Sequence, residues 1–274
     1  MKSTSRYILL SFDVEEFDMP LEYRQHISAA EQIATGFKGL EATMQVIDGT
    51  PVKGTFFTTA HFAAHYPHRI REIAAKHEIA SHTFYHSSFH TEHLLQSRLQ
   101  LEKISGQRVY GLRMPRMRPV AMQDVTAAGY LYDSSVNPTW LPGRYNNLSL
   151  PRTTYYDNQV LRVPASVSAR LRIPLFWLSF KNMPYPVFKR LAISALKRDG
   201  YVCLYFHPWE FTGLSAYRIP GYAKRWAGEA LQERLSRLIC DLQKEGEFTS
   251  MQQMLQLKNY LQAPLQPQPI AALL

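Results

Sequence analysis

Ser81-His82-Thr83-Phe84-Tyr85-His86 is the stretch on which the reading of this chain turns. It follows Glu78-Ile79-Ala80, a run with the character of a strand end, and it carries two histidines four residues apart. Two imidazoles at that spacing converge on one metal ion if the backbone between them turns helically. Ten histidines in the chain also produce such pairs by chance, His61/His65 and His86/His90 among them. The signal gains weight from its company. Asp13-Val14-Glu15-Glu16, Arg113-Met114-Pro115, Asp133-Ser134-Ser135 and Phe206-His207-Pro208-Trp209-Glu210 each follow a short apolar run. Side chains of this kind at successive strand ends open on one face of a sheet, where α/β folds build their sites.

On either side of this stretch, apolar runs alternate with helical periodicity. Residues 7–12 read as a buried strand, and Ser28 with Glu31 forms a capping-box pattern ahead of Ile33, Phe37, Leu40, Met44 and Ile47 on one helix face. Strands are expected at 54–58, 78–81, 109–112, 130–133 and 201–206, and helices at 66–76, 91–104, 121–128, 187–198 and 223–244. A last strand near 248–251 turns into a short helix. Strands and helices alternating at these lengths predict a parallel sheet, open or closed into a barrel. Between 137 and 186 prolines crowd the chain, and a long irregular excursion with one or two short strands is expected there. One domain over 1–260 and a disordered Pro/Gln-rich tail over 261–274 complete the plan.

The chain has 274 residues, 46% of them hydrophobic, enough for one large α/β core. No stretch approaches the roughly 20 apolar residues of a membrane span. The start lacks a signal-like apolar segment, so the expected location is cytoplasmic. Cys203 and Cys240 read as two buried free thiols. The net charge of +9 is scattered rather than blocked. It describes a solvated surface, or attraction to an anionic substrate or an acidic membrane. No nucleic-acid motif accompanies it.

The clusters allow a specific chemistry. Asp13 and Glu15 are two apart and share one side of a strand. One of them, with His82 and His86, makes a two-histidine, one-carboxylate donor set suited to Zn2+, or to Co2+, Ni2+ or Fe2+. The other carboxylate is then free to deprotonate water, with His207 opposite as acid and Arg113 holding the base ionised.

This ordered set resembles the polysaccharide deacetylase family with the NodB-type fold, carbohydrate esterase family four, over roughly residues 6–257. His82-Thr83-Phe84-Tyr85-His86 and Arg113-Met114-Pro115 match its second and third motifs. Ser11-Phe12-Asp13-Val14-Glu15, Asp133-Ser134-Ser135 and Leu204-Tyr205-Phe206-His207 are looser versions of the first, fourth and fifth. Asp13-Val14-Glu15, His207-Pro208-Trp209-Glu210 and 143–152 are similar to the branch associated with exopolysaccharide synthesis. The resemblance implies a distorted, incomplete (β/α)7 barrel and metal-dependent removal of an acetyl group from a carbohydrate. The family's second acidic residue falls on Val14, which cannot ligate. The base role therefore goes to Asp13 and the ligand role to Glu15, with the reverse assignment open. Arg113 and His207 complete the expected catalytic group. Arg116, Asp133, Tyr145 and Trp209 are the expected substrate contacts.

The expected substrate is an acetylated sugar, oligosaccharide or lipid-linked precursor, with peripheral membrane contact through 171–180 as a lesser expectation. Two alternatives stand beside it: a small-molecule amidase on the same scaffold, and a catalytically inactive relative that binds glycans.

Overall fold

Tyr7–Val14 forms β1, and its alternate residues go to opposite faces, as the period of two along a strand requires. Ile8, Leu10, Phe12 and Val14 join the larger apolar core beneath the helices, whereas Tyr7 and Leu9 join a second core on the inner face of the sheet. Ser11 and Asp13 continue that inner face toward the strand's C-terminal end. The computed structural model describes residues 5–261, so residues 262–274 of the expected tail lie outside the described residues.

The chain continues through α1 (Met19–Glu22), α2 (Ala29–Ile47), β2 (Thr55–Thr58), α3 (Ala60–His65), α4 (Pro67–Ala74), β3 (Glu78–Ser81), α5 (Glu92–Ser105), β4 (Gly111–Leu112), α6 (Met122–Ala127) and β5 (Tyr132–Asp133). It then runs through β6 (Trp140–Leu141), β7 (Tyr145–Asn146), β8 (Tyr155–Asp157), β9 (Val160–Arg162), α7 (Trp177–Asn182), α8 (Tyr185–Asp199) and β10 (Tyr201–Phe206). The last elements are α9 (Gly221–Lys224), α10 (Glu229–Leu242), β11 (Glu247–Phe248) and α11 (Met251–Leu257).

The main sheet runs β10-β1-β2-β3-β4-β5-β9-β8, parallel from β10 to β9, with β8 antiparallel at its edge and β11 beside the start of β1. Ser166 bridges the gap beyond β9: its N–H donates to the Cys203 carbonyl at 2.9 Å and its hydroxyl accepts the Cys203 N–H at 2.8 Å. The sheet thus curls into an incomplete barrel, as the sequence implied. Parallel register brings Asp13, His82, Arg113, Ser134 and His207 to neighbouring strand ends on one rim. At the opposite end α11 plugs the inner core with Met251, Met254 and Leu255. There the buried Glu78 carboxylate accepts Thr55 Oγ1 at 2.8 Å, Tyr132 OH at 2.7 Å and the Gln252 N–H at 3.0 Å.

Ser28 caps α2 by accepting the Glu31 N–H at 3.1 Å. Two glycines let this helix lie against the site's backbone. A Cβ at Gly39 would stand 2.2 Å from the Pro208 carbonyl oxygen, and one at Gly36 would stand 2.5 Å from that of Glu15.

Several expectations need correction. The helix expected at 66–76 is preceded by α3, which Thr59 caps by accepting the Phe62 N–H at 3.2 Å. The helix expected over 223–244 is two helices, broken where Trp226 and Gly228 take positive φ and Gly228 N–H donates to the Glu210 carbonyl at 3.0 Å. The excursion over 137–186 is less irregular than its prolines imply, because it holds four short strands and α7, and β9 is a strand of the main sheet. Cys203 is buried but Cys240 is exposed, since it falls off the apolar face of α10.

Candidate active site

The turn between the paired histidines is not helical. Thr83 takes φ 62° after β3, and His82 and His86 come together across an irregular loop. His82 Nε2 and His86 Nε2 each lie 3.1 Å from Glu15 Oε2. One ligand atom from each of these three residues falls within 4.8 Å of the others, and all three residues are buried. Each is held from behind. His82 Nδ1 donates to the Arg113 carbonyl at 2.8 Å, His86 Nδ1 stands 2.8 Å from Asp18 Oδ1, and the Trp209 indole N–H donates to Glu15 Oε1 at 3.0 Å. Such outer partners fix the imidazole tautomer and leave Nε2 facing the centre.

Burial alone would raise the Glu15 carboxyl, but the charges of His86, His207 and His82 hold it far below the usual carboxylate range. His86 is held up at about 9, the Glu15 and Asp18 carboxylates outweighing the burial that would lower it. The carboxylates that draw protons onto these histidines supply the negative field a cation also needs, and an ion held there would displace those protons, because histidine ligates only as the neutral imidazole.

Asp13 stands apart from this cluster. Its Oδ1 accepts Arg113 Nη1 at 2.6 Å, and its Oδ2 lies 3.9 Å from His207 Nε2. Val14, between the two carboxylates, points outward into the helix-side core, so Asp13 and Glu15 share the inner side while Val14 packs. His207 is gripped by its own turn. Its Nδ1 donates to Glu210 Oε1 at 3.0 Å and its backbone N–H to the same oxygen at 2.8 Å.

The expected substrate contacts fare differently. Trp209 is 2% exposed and spends its N–H on Glu15, so it supports the cluster and offers no stacking face. Arg116 pairs with Asp18 at 3.0 Å and Glu22 at 2.7 Å, which makes it a brace behind His86. Asp133 is fully buried, accepts the Ser135 hydroxyl and pairs with Arg162 at 2.9 Å. Those partners occupy its carboxylate at the end of β5 and leave none of it open to a substrate. Tyr145 is half-buried beside the Asn137 amide, which also neighbours Tyr205. Asn137 stands in no motif; it is 1% exposed, and its amide N and O have no hydrogen-bond partner among the described residues. Asp18, Lys181 and Glu210 were also missed as supporting groups. Glu210 was visible in the motif, but a role for it needs the fold.

Residues 36–121, which include both histidines and Arg113, match the family model described as polysaccharide deacetylase. No curated protein matches the chain significantly. Among solved structures the chain is similar to a protein from Mycobacterium smegmatis assigned to the polysaccharide deacetylases, at 19% identity over 98% of this chain and 96% of that one, TM-score 0.61. It is similar to the Puue allantoinase at 16% identity over 96% and 93%, TM-score 0.67. A protein from Pseudomonas aeruginosa PAO1 named a probable polysaccharide deacetylase gives 17% identity over 94% of each chain, TM-score 0.66. At these identities the likeness establishes the fold, which is the NodB-like incomplete barrel. The family match supports placement among the polysaccharide deacetylases.

Proposed function

We propose that the chain is a metal-dependent hydrolase of the polysaccharide deacetylase family, removing an acetyl group, N-acetyl first among the choices, from a sugar. One observation carries the reading. A Glu15-His82-His86 donor set, a carboxylate held by Arg113 and a histidine held by Glu210 meet at one rim of the barrel. The donor set fits a divalent cation, because its three atoms are close, buried and individually braced. Zn2+ suits it, and Co2+, Ni2+ and Fe2+ accept the same donors.

A cation bound there supplies Lewis acidity, which lowers the pKa of water and polarises a carbonyl. Asp13 takes the proton of the attacking water, and Arg113 keeps that carboxylate ionised and aimed. His207 delivers a proton to the departing nitrogen. The Arg116 backbone N–H, in a turn where Arg116 and Met117 both take positive φ, is the proposed donor to the developing oxyanion. Asn137 and Tyr145 supply hydrogen bonds for sugar hydroxyls or the acetamido group. The motifs Asp13-Val14-Glu15 and His207-Pro208-Trp209-Glu210 support a substrate belonging to exopolysaccharide synthesis, such as a nucleotide-linked or lipid-linked sugar. Leu171, 78% exposed, and Trp140, 60% exposed, are the proposed contact for a lipid portion. No helix among the described residues is long and apolar enough to cross a membrane.

The test begins with metal. Protein prepared without a metal-affinity tag and incubated with zinc is expected to hold about one ion per chain, lost in Glu15→Ala and in His82→Ala. Acetate release from N-acetylglucosamine oligomers should stop with a chelator and return with zinc. Wild-type protein that holds no metal would sink the hydrolase reading in favour of an inactive glycan-binding relative. A second reading, hydrolysis of a small-molecule amide, rests on the likeness to the Puue allantoinase. Metal-dependent cleavage of small amides, with no acetate released from any sugar, would select it.

A further inference from the structure

The excursion sends one buried cation to the acid side of the site. Lys181, on α7, has no exposed side-chain surface, and its Nζ stands 2.9 Å from Oε2 of the equally buried Glu210. Nζ also donates to the Ala223 carbonyl at 2.7 Å. The other carboxylate oxygen of Glu210 accepts both the backbone N–H and Nδ1–H of His207. The two oxygens are thus divided, one for the lysine and one for the histidine. Trp177, one turn before Lys181 on the same helix, packs edge-on against the His207 ring at 5.0 Å, and Trp209 stacks on that ring at 5.0 Å and 21°. A buried Lys–Glu pair is a poor source of stability, since desolvation offsets most of the attraction and apolar replacements often do as well. Its placement directly behind His207, whose Nε2 stands 3.9 Å from Asp13 Oδ2, calls for another explanation.

We infer that Lys181 and Glu210 are positioning residues that hold His207 in the tautomer and orientation presenting Nε2 to the reacting atoms. The inference rests on the deacetylase reading for what His207 does, but not for how it is held. The charged groups around His207 are Asp13 and Glu15 from the end of β1, Glu210 on its own turn and Lys181 behind it, with Arg113 reaching it through Asp13. Burial lowers the His207 pKa, but Glu15, Glu210 and Asp13 raise it overall. Burial raises the Glu210 carboxyl, but Lys181 and His207 bring it below its ordinary value.

The experiment follows the His207 ring nitrogens by NMR titration in the full chain, for wild type, Glu210→Gln, Lys181→Met and the double variant. Wild-type protein should carry the neutral-form proton on Nδ1. Glu210→Gln removes the anion and should lower the His207 pKa by about one unit. Lys181→Met leaves the Glu210 charge to His207 alone and should raise it by a similar amount. The double variant, with neither buried charge left, should titrate above Glu210→Gln, which keeps an unpaired lysine, and it serves if Lys181→Met does not fold. Turnover should fall about 10- to 100-fold in each variant with KM and zinc content unchanged. The basic limb of the pH–rate profile should move with the ring, in opposite directions for the two single changes. Any result other than opposite shifts, or a double variant that does not titrate above Glu210→Gln, overturns the inference and leaves a packing role. Wild-type protein that releases no acetate while the shifts appear would sink the deacetylase reading alone.

Discussion

Asp13→Asn should keep its zinc and lose turnover by about 10²- to 10⁴-fold, the contribution of a placed general base. Asparagine is nearly isosteric and still accepts the Arg113 N–H that Asp13 Oδ1 receives at 2.6 Å, but it cannot take a proton. The metal should stay because Asp13 stands outside the Glu15-His82-His86 cluster. Elemental analysis and acetate release on the same preparation decide the matter. Zinc lost together with activity would make Asp13 the ligand and Glu15 the base.

Arg113→Leu should be the most destabilising single substitution near the site. The guanidinium has no exposed surface and donates to Ser11 Oγ at 3.0 Å, Asp13 Oδ1 at 2.6 Å, Ser134 Oγ at 3.0 Å and the Ser134 carbonyl at 3.3 Å. It also lies between the rings of Phe57 and Tyr205, 4.1 Å and 5.1 Å from their centroids. Leucine fills part of that volume but leaves the Asp13 carboxylate buried and unpaired, which costs about 3–5 kcal/mol. Against a total stability of about 5–15 kcal/mol, that is a large fraction. Lysine should not restore it, because a single ammonium cannot reproduce the planar fork. Combining Arg113→Leu with Asp13→Ala should recover part of the loss in urea unfolding. A double variant no more stable than the single would show that the unpaired carboxylate is not the cause.

The parts of this site that sequence made legible are those set by one strand and the rim it ends on. Asp13 and Glu15 are on one side because a strand has period two, and Val14 between them could be read as a non-ligand from its side chain alone. His82, Arg113 and His207 were found because each follows an apolar run, and parallel pairing brings such ends together. What stayed hidden depends on tertiary reach. Trp209 reads as a sugar platform in sequence, but Glu15 is 194 residues away along the chain and takes its N–H. Arg116 and Asp133 read as rim charges until Asp18, Glu22 and Arg162 are seen to claim them. Lys181 lies in a proline-rich excursion that shows helical order only once packed against α9 and the turn after β10. The break before α10 likewise follows from Gly228 donating to Glu210, a contact no local pattern announces.

The bond from Trp209 to Glu15 gives the protein an optical property. An indole whose N–H touches the carboxylate of a cation cradle, and whose ring stacks on His207, feels any charge that arrives there. Trp140 and Trp226 are exposed, at 60% and 48%, and emit in a solvent-like field whatever the cradle holds. Zinc titrated into the protein should therefore shift the blue, buried part of the fluorescence, and Trp209→Phe should silence most of that response. Occupancy of the cradle could then be followed by light alone.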